Sequence, residues 1–273
     1  AMAPSRAVVT IGGQAGNAAI AVARLGGRVT FAGPLGDEND EFAGRICADL
    51  NREHIDCGEV IRVPGAVSSV SLILIDAAGE KMIATRRDTG LSDVVPSDPA
   101  RIVAAIDAVL LDNRYPNFVA PICQAAKARG IPRVLDLDRA ASADDPLLNA
   151  CSHVVASAEA LRGSTRLADL PAALKKLGQS YKGFLAFTDG ADGVYWLDGG
   201  EVRHLEAFKI DAVDTLGAGD VFNGAFTFRL VETGDLIDSM RFGAAAAAIK
   251  CTRFGGLMGA ATRAEVDEFL KKN

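Results

Sequence analysis

The stretch Asp214-Thr215-Leu216-Gly217-Ala218-Gly219-Asp220, continued by Val221-Phe222-Asn223-Gly224-Ala225-Phe226, decides how this chain is read. It follows extended residues and opens an apolar helix predicted over Gly217–Glu232. Gly217, Ala218 and Gly219 are small, so their backbone N–H groups can turn toward one point. The partial positive charge of a helix N-terminus adds to them there. Such a nest suits an anion, above all a phosphoryl group gaining charge in a transition state. Asp220 sits in the first turn beside it, where a carboxylate can take the proton of an attacking hydroxyl. Asp214, six residues earlier, is placed to orient water, a metal or the loop itself. A structural reading competes: Gly-x-Gly is also a tight turn, and an aspartate is favoured at any helix start.

Upstream of this segment, short apolar runs alternate with alanine-rich helical patterns. The strand candidates are Val29–Gly33, Ala108–Asp112, Val134–Leu137, His153–Ser157 and Phe184–Thr188. The helical patterns are Asn17–Leu25, Glu41–Arg52, Pro99–Ile106, Phe118–Arg129 and Leu167–Leu177, with Leu236–Cys251 and Arg263–Lys271 closing the chain. Apolar strands separated by helices predict a mostly parallel sheet covered on both faces, an α/β fold. Val60 to Arg87 shows no helical period. There Val70–Asp76 and Lys81–Arg86 flank Ala77-Ala78-Gly79-Glu80, which predicts a hairpin and, over about 58–90, a small antiparallel β lid inserted in a single domain spanning 1–273. A second hairpin is predicted from Gly193–Leu197 and Glu201–Leu205. The alanine run Ala244–Ala248, flanked by Arg241 and Lys250, reads as a packed helix.

The chain has 273 residues, 49% of them apolar, which is enough to bury a large core and excludes global disorder. A net charge of −6 argues against a nucleic-acid partner held by phosphate contacts. No apolar run is long enough to cross a bilayer. The five cysteines (Cys47, Cys57, Cys123, Cys151, Cys251) are scattered and odd in number, as reduced thiols of a cytoplasmic protein are. The three histidines (His54, His153, His204) are isolated and read as structural. There is no G-x-x-x-x-G-K-[ST] loop, and Phe222 breaks any dinucleotide fingerprint after Gly217.

The full D-T-x-G-A-G-D string resembles the second signature of the ribokinase-like carbohydrate kinases, the PfkB family. Gly12-Gly13-Gln14-Ala15-Gly16-Asn17-Ala18-Ala19, followed by Ala21-Val22-Ala23-Arg24-Leu25-Gly26, resembles the family's first signature. Gly33-Pro34-Leu35-Gly36-Asp37 and Phe42-Ala43-Gly44 also follow the family, so the resemblance runs from about Val8 to Leu270. It implies a three-layer α/β/α fold, with Asp220 as base and the Gly217, Ala218 and Gly219 amides as anion hole. Gly12, Gly13 and Asn17 would hold the sugar; taken alone, Asn17 is equally a helix cap. Thr188, Gly190, Gly193, Thr215, Gly217, Gly219 and Gly256 would lie along the nucleotide. Glu159 matches the glutamate of an N-x-x-E motif that acts around magnesium, although Ala156 stands where the family has asparagine. The implied cofactors are ATP and Mg²⁺, with a monovalent cation such as K⁺ as a further one. The implied assembly is a homodimer through the lid sheet.

The acceptor pocket is expected between the sheet's C-terminal edge and the lid, where Asn113, Arg114, Arg139 and the pair Arg86-Arg87 fall. Arginines there suit an acidic group on the acceptor; salt bridges with Asp88, Asp112 and Asp138 are the alternative. With L-x-D-x-R and K-C-T-R-x-G-G, the chain is similar to ketohexokinase and the sulfofructose kinases. The expected activity is transfer of the γ-phosphoryl group of ATP to a hydroxyl of a ketose-type sugar or acidic sugar derivative. An adenosine-type nucleoside kinase is one rival, mildly disfavoured by the few aromatics available to stack a base, Tyr115 and Phe118 being the nearest candidates. A non-catalytic sugar- or nucleotide-sensing protein is the other. Family members carry a strand and a Gly-x-x-x-x-Asp loop before the di-glycine motif; here eleven residues precede Gly12, none an aspartate, so the 273 residues are expected to record part of a slightly longer kinase.

Overall fold

The computed structural model describes residues 8–75 and 81–273. The predicted turn Ala77-Ala78-Gly79-Glu80 lies outside them. In chain order the strands are β1 Thr30–Leu35, β2 Asp56–Arg62, β3 Val70–Ile75, β4 Lys81–Arg86, β5 Val109–Asp112, β6 Arg133–Leu137, β7 His153–Ser157, β8 Phe184–Thr188, β9 Val194–Asp198 and β10 Glu201–Leu205. The α-helices are α1 Gln14–Arg24, α2 Glu41–Arg52, α3 Pro99–Val103, α4 Pro116–Ala128, α5 Pro146–Ala150, α6 Ala158–Thr165, α7 Leu170–Gly178, α8 Ala218–Thr233, α9 Leu236–Cys251 and α10 Arg263–Lys272.

Six strands form the central sheet in the order β10-β9-β8-β7-β6-β5. β5 to β8 run parallel, and the hairpin β9–β10 closes one edge antiparallel. Alternation along the strands sends side chains into two cores. Leu135, Leu137, Val154, Ala156, Leu185 and Phe187 pack under α4 to α7 with Phe118, Leu148, Leu161 and Leu174. Val134, Val155 and Ala186 face the other way, against Phe222 and Phe226 of α8 and Met240 of α9. Helices therefore cover both faces of a mostly parallel sheet, as the strand pattern predicts. β3 and β4 pair antiparallel from Val70↔Arg86 to Ile75↔Lys81, the hairpin expected of this stretch.

Three features differ from the sequence reading. β1 does not join the central sheet; it pairs in parallel with β2, whose Asp-Cys-Gly-Glu start carries no strand pattern. The helix expected over Leu167–Leu177 is α7, which begins at Leu170, and a further helix, α6, precedes it where none was expected. α6 ends where Arg166 turns left-handed (φ 58°), and Asp169 caps α7 by accepting from Ala172 N. α5 is a single turn started by Asp145 and Pro146, too short to show a period. Among the described residues no helix is long and apolar enough to cross a membrane.

α1 and α8 cross with almost no side chain between them. A Cβ on Gly224 would lie 2.7 Å from Ala18 O and 3.2 Å from Ala18 Cα. Gly224→Val is therefore expected to force the helices apart and lower stability by about 1–3 kcal/mol. A urea melt of the purified variant measures it, and wild-type stability would show that the crossing can yield.

Candidate functional site

The C-terminal ends of the parallel strands open on one cavity of about 2460 Å³. That exceeds the roughly 300–1,000 Å³ of an ordinary ligand pocket, because the space continues between β5 and β1. Asp112 and Arg114 after β5, Asp138 and Arg139 after β6, Ser157 and Thr188 line it. So do Gly12, Gly13, Gln14 and Asn17 at the start of α1, and 213–220 with Gly255 and Gly256 opposite. This is where open α/β sheets place ligands.

Two segments 203 residues apart meet at its floor: Asn17 Nδ2 donates to Asp220 Oδ2 at 2.5 Å. Asp220 is the third residue of α8, and Gly217 caps that helix in the left-handed region (φ 76°). A Cβ at Gly217 would sit 3.2 Å from Asn17 Nδ2 and 3.6 Å from Asp220 Oδ2, so both conformation and space require glycine. No side chain caps α8. The Ala218 N–H bonds Thr215 O at 3.3 Å, which removes it from an ideal anion hole. The Gly217 and Gly219 N–H groups have no partner among the described residues. The result is two open amides at a helix N-terminus with a carboxylate beside them.

Burial pushes the Asp220 carboxyl up to about 6; the Asn17 amide opposes this, while the charges of Asp138 and Asp112 add to it. Asp136, in the middle of β6, is 8% exposed. Its own burial, and then the charges of Asp220, Asp112 and Asp138, hold it well above the usual carboxylate range. Sequence reasoning passed over Asp136 and Gln14. A lone carboxylate inside the apolar run Arg133–Leu137 is the signal that marks the first. Gln14 is 7% exposed; its Oε1 accepts from Arg114 Nε at 2.8 Å, while its Nε2 has no hydrogen-bond partner. Arg114 Nη2 also bonds Asp138 Oδ2 at 2.9 Å.

The remaining expected residues divide between the cavity and its supports. Asn113 Nδ2 holds Arg139 O at 2.8 Å, and its buried Oδ1 is unpartnered. Asp214 is a loop anchor: its Oδ1 accepts from Leu216 N at 2.8 Å, and its Oδ2 from Gly255 N at 3.1 Å and Gly256 N at 2.9 Å. Burial raises its pKa, but the Gly256 and Leu216 amides and the charge of Lys250 outweigh that and leave it below the ordinary value. Gly190 and Gly193 lie in the turn between β8 and β9, outside the cavity lining. A Cβ on Gly193 would meet Leu205 O at 2.2 Å, so packing alone explains that glycine. Glu159 is exposed in the first turn of α6, beside the cavity-lining Ser157. Among the described residues no three His, Cys, Asp or Glu side chains are grouped to hold a metal ion.

A carboxylate beside an open helix N-terminus, at the strand ends of a parallel sheet, is an arrangement suited to phosphoryl transfer. Residues 1–262 match the pfkB family of carbohydrate kinases. The chain is 31% identical to the ribokinase of Haemophilus influenzae over 96% of its own length and 88% of that protein's. It is 27% identical to maize fructokinase-1, covering 96% and 88%. The fold matches a crystal structure of a candidate ribokinase from Agrobacterium tumefaciens with a TM-score of 0.90 and 36% identity, covering 96% and 86%. It matches Arabidopsis thaliana ribokinase complexed with ribose and ATP at 0.85, 23% identity, 95% and 87%. This chain belongs to the pfkB family. It is an ATP-dependent carbohydrate kinase with the ribokinase-like fold.

A carboxylate acting as base must be ionised, so with Asp220 in the role expected from the sequence kcat/KM should fall as pH drops through about 6. The Asn17 hydrogen bond lowers that pKa, so Asn17→Leu should move the acid limb to higher pH; a limb that stays put would separate Asn17 from the titrating group. Asp220→Asn should lose on the order of 10³-fold in kcat. Ionising a buried carboxyl whose pKa is raised costs stability as pH rises past its unfolded value. The same variant should therefore melt no lower than wild type at pH 8.

Proposed function

We propose that the chain phosphorylates the primary hydroxyl of a neutral sugar, a pentose of the ribose type before fructose, at the expense of ATP. The observation that carries this reading is the contact between Asn17 and Asp220, which sets the start of the sugar loop against the base and the open amides of Gly217 and Gly219. The acceptor wall is acidic: Asp112, Asp136, Asp138 and Asp220 lie together, and Arg114 is already engaged by Gln14 and Asp138. Carboxylates accept hydrogen bonds from sugar hydroxyls but repel a phosphate or sulfonate. That weighs against the acidic acceptor suggested by the arginines in the sequence. Of the two aromatics expected near the acceptor, Phe118 is 1% exposed in the core, which weighs against a nucleoside. The name shared by the Haemophilus and Bacillus subtilis relatives, ribokinase, supports a pentose.

In the forward step Asp220 accepts the hydroxyl proton as that oxygen attacks the γ-phosphorus. The γ-phosphorus bond to the ADP oxygen breaks, and the Gly217 and Gly219 amides take up the developing charge. Thr188, Thr215 and Gly256 line the nucleotide side. The open amide cradle and the scattered carboxylates fit a metal carried mainly by the nucleotide's phosphates, and Glu159 is the residue that would hold it through water. Mg²⁺ so bound neutralises phosphate charge. The hairpin β3–β4 serves as a lid. Its exposed Leu72 (62%), Leu74 (52%), Met82 (69%) and Ile83 (55%) support pairing with a second copy. Five free cysteines fit a reducing cytoplasm.

A coupled ATPase assay over ribose, fructose, sugar phosphates, a sulfosugar and adenosine is expected to give the highest kcat/KM with ribose. Turnover confined to acidic sugars would overturn the reading. Leu72→Asp is expected to convert a dimer to a monomer in light scattering, with little change in melting temperature.

A further inference from the structure

Lys250 lies at the end of α9 and is 0% exposed. Burying an ammonium is unfavourable by several kcal/mol unless it is paired and hydrogen-bonded. Here Nζ donates to Asp214 O at 2.7 Å and lies 3.5 Å from Asp214 Oδ1. The same carboxylate holds the amides of Leu216, Gly255 and Gly256. Cys251 O, one residue after Lys250, accepts from Val213 N at 2.7 Å and Asp214 N at 3.1 Å. The ion pair thus fastens the 213–217 loop to the 255–256 loop, and the next amide after Leu216 is Gly217.

We infer that Lys250 is a positioning residue, the built-in cation that sets the anion-hole loop, and that this kinase needs no exchangeable monovalent cation. The K⁺ that the family resemblance suggests would need a carboxylate to neutralise and loop carbonyls to gather. Asp214 supplies both, its carboxylate and its own main-chain oxygen, and Lys250 Nζ already stands within 3.5 Å of each. An ammonium tethered there does the work of a bound ion without exchange with solvent. Its charge reaches the reaction only through the loop, so it governs how the amides are aimed rather than how the sugar binds.

This inference rests on kinase activity but not on the sugar assigned above. Wild-type kcat is expected to be the same within about twofold in potassium, sodium and choline chloride at equal ionic strength. A roughly tenfold rise with K⁺ alone would overturn the inference, and this comparison needs no variant to fold. Lys250→Met keeps the volume and removes the charge. It is expected to lower kcat by on the order of 10²-fold while the sugar KM moves less than about threefold. In Lys250→Ala, ammonium should restore part of the lost kcat and choline none. A Lys250→Met enzyme with wild-type kcat would make the residue merely structural. Should no sugar be turned over, the acceptor assignment fails, and calorimetric ADP binding in KCl against choline chloride still decides: equal affinity supports the built-in cation, and tighter binding in KCl refutes it.

Discussion

Helices α1 and α8 meet backbone to backbone, and the site depends on that contact. A helix normally stands 8–10 Å from its neighbour because side chains intervene. At Gly224 and Ala18 the intervening group is missing. The close crossing lets Asn17, from the first turn of one helix, reach Asp220 in the first turn of the other. Two helix N-termini then point into one cavity from the same side. The small residues that open α8 are needed twice: Gly217 for its left-handed turn and Gly224 for the approach.

Electrostatics sharpen what packing assembles. Four carboxylates on β5, on and just after β6 and at the start of α8 lie together, and burial raises the cost of ionising Asp112, Asp136 and Asp220. The heaviest share falls on Asp136, which burial and its neighbours hold well above the usual carboxylate range. Asp220 keeps the Asn17 hydrogen bond, which partly offsets its burial, and its pKa stays near the pH at which a base must work. Arg114 balances Asp138 and steadies Gln14 on the cavity wall.

The parallel strands and the two main carboxyl-terminal helices were legible because each carries a strong apolar signal; β7, β8 and α9 fall on the expected residues. The short elements were not. β2 begins with polar residues and owes its conformation to pairing with β1, a contact no local pattern records. The break between α6 and α7 hangs on the left-handed Arg166, a conformation that sequence does not announce for arginine. At the site, the Asp220 loop and Asn17 could be read because they sit in local motifs. The taking of the Ala218 amide by Thr215 O and the burial of Asp136 are properties of the assembled fold.

Asp214 and Lys250 show the same limit from the other side. In the sequence, Asp214 is an acidic residue near a phosphate site, and so a metal candidate. Lys250 is the polar end of an alanine-rich helix, placed where a lysine usually extends into water. The fold turns both inward. The backbone amides around Asp214 demand a carboxylate at the base of the loop, and a buried carboxylate demands a positive neighbour. α9 is buried almost all round, so a charge on it faces protein whichever way it points. There its ammonium meets both the carboxylate and the main-chain oxygen of Asp214, so a residue in the last turn of an apolar helix bears on the phosphoryl site through a single ion pair.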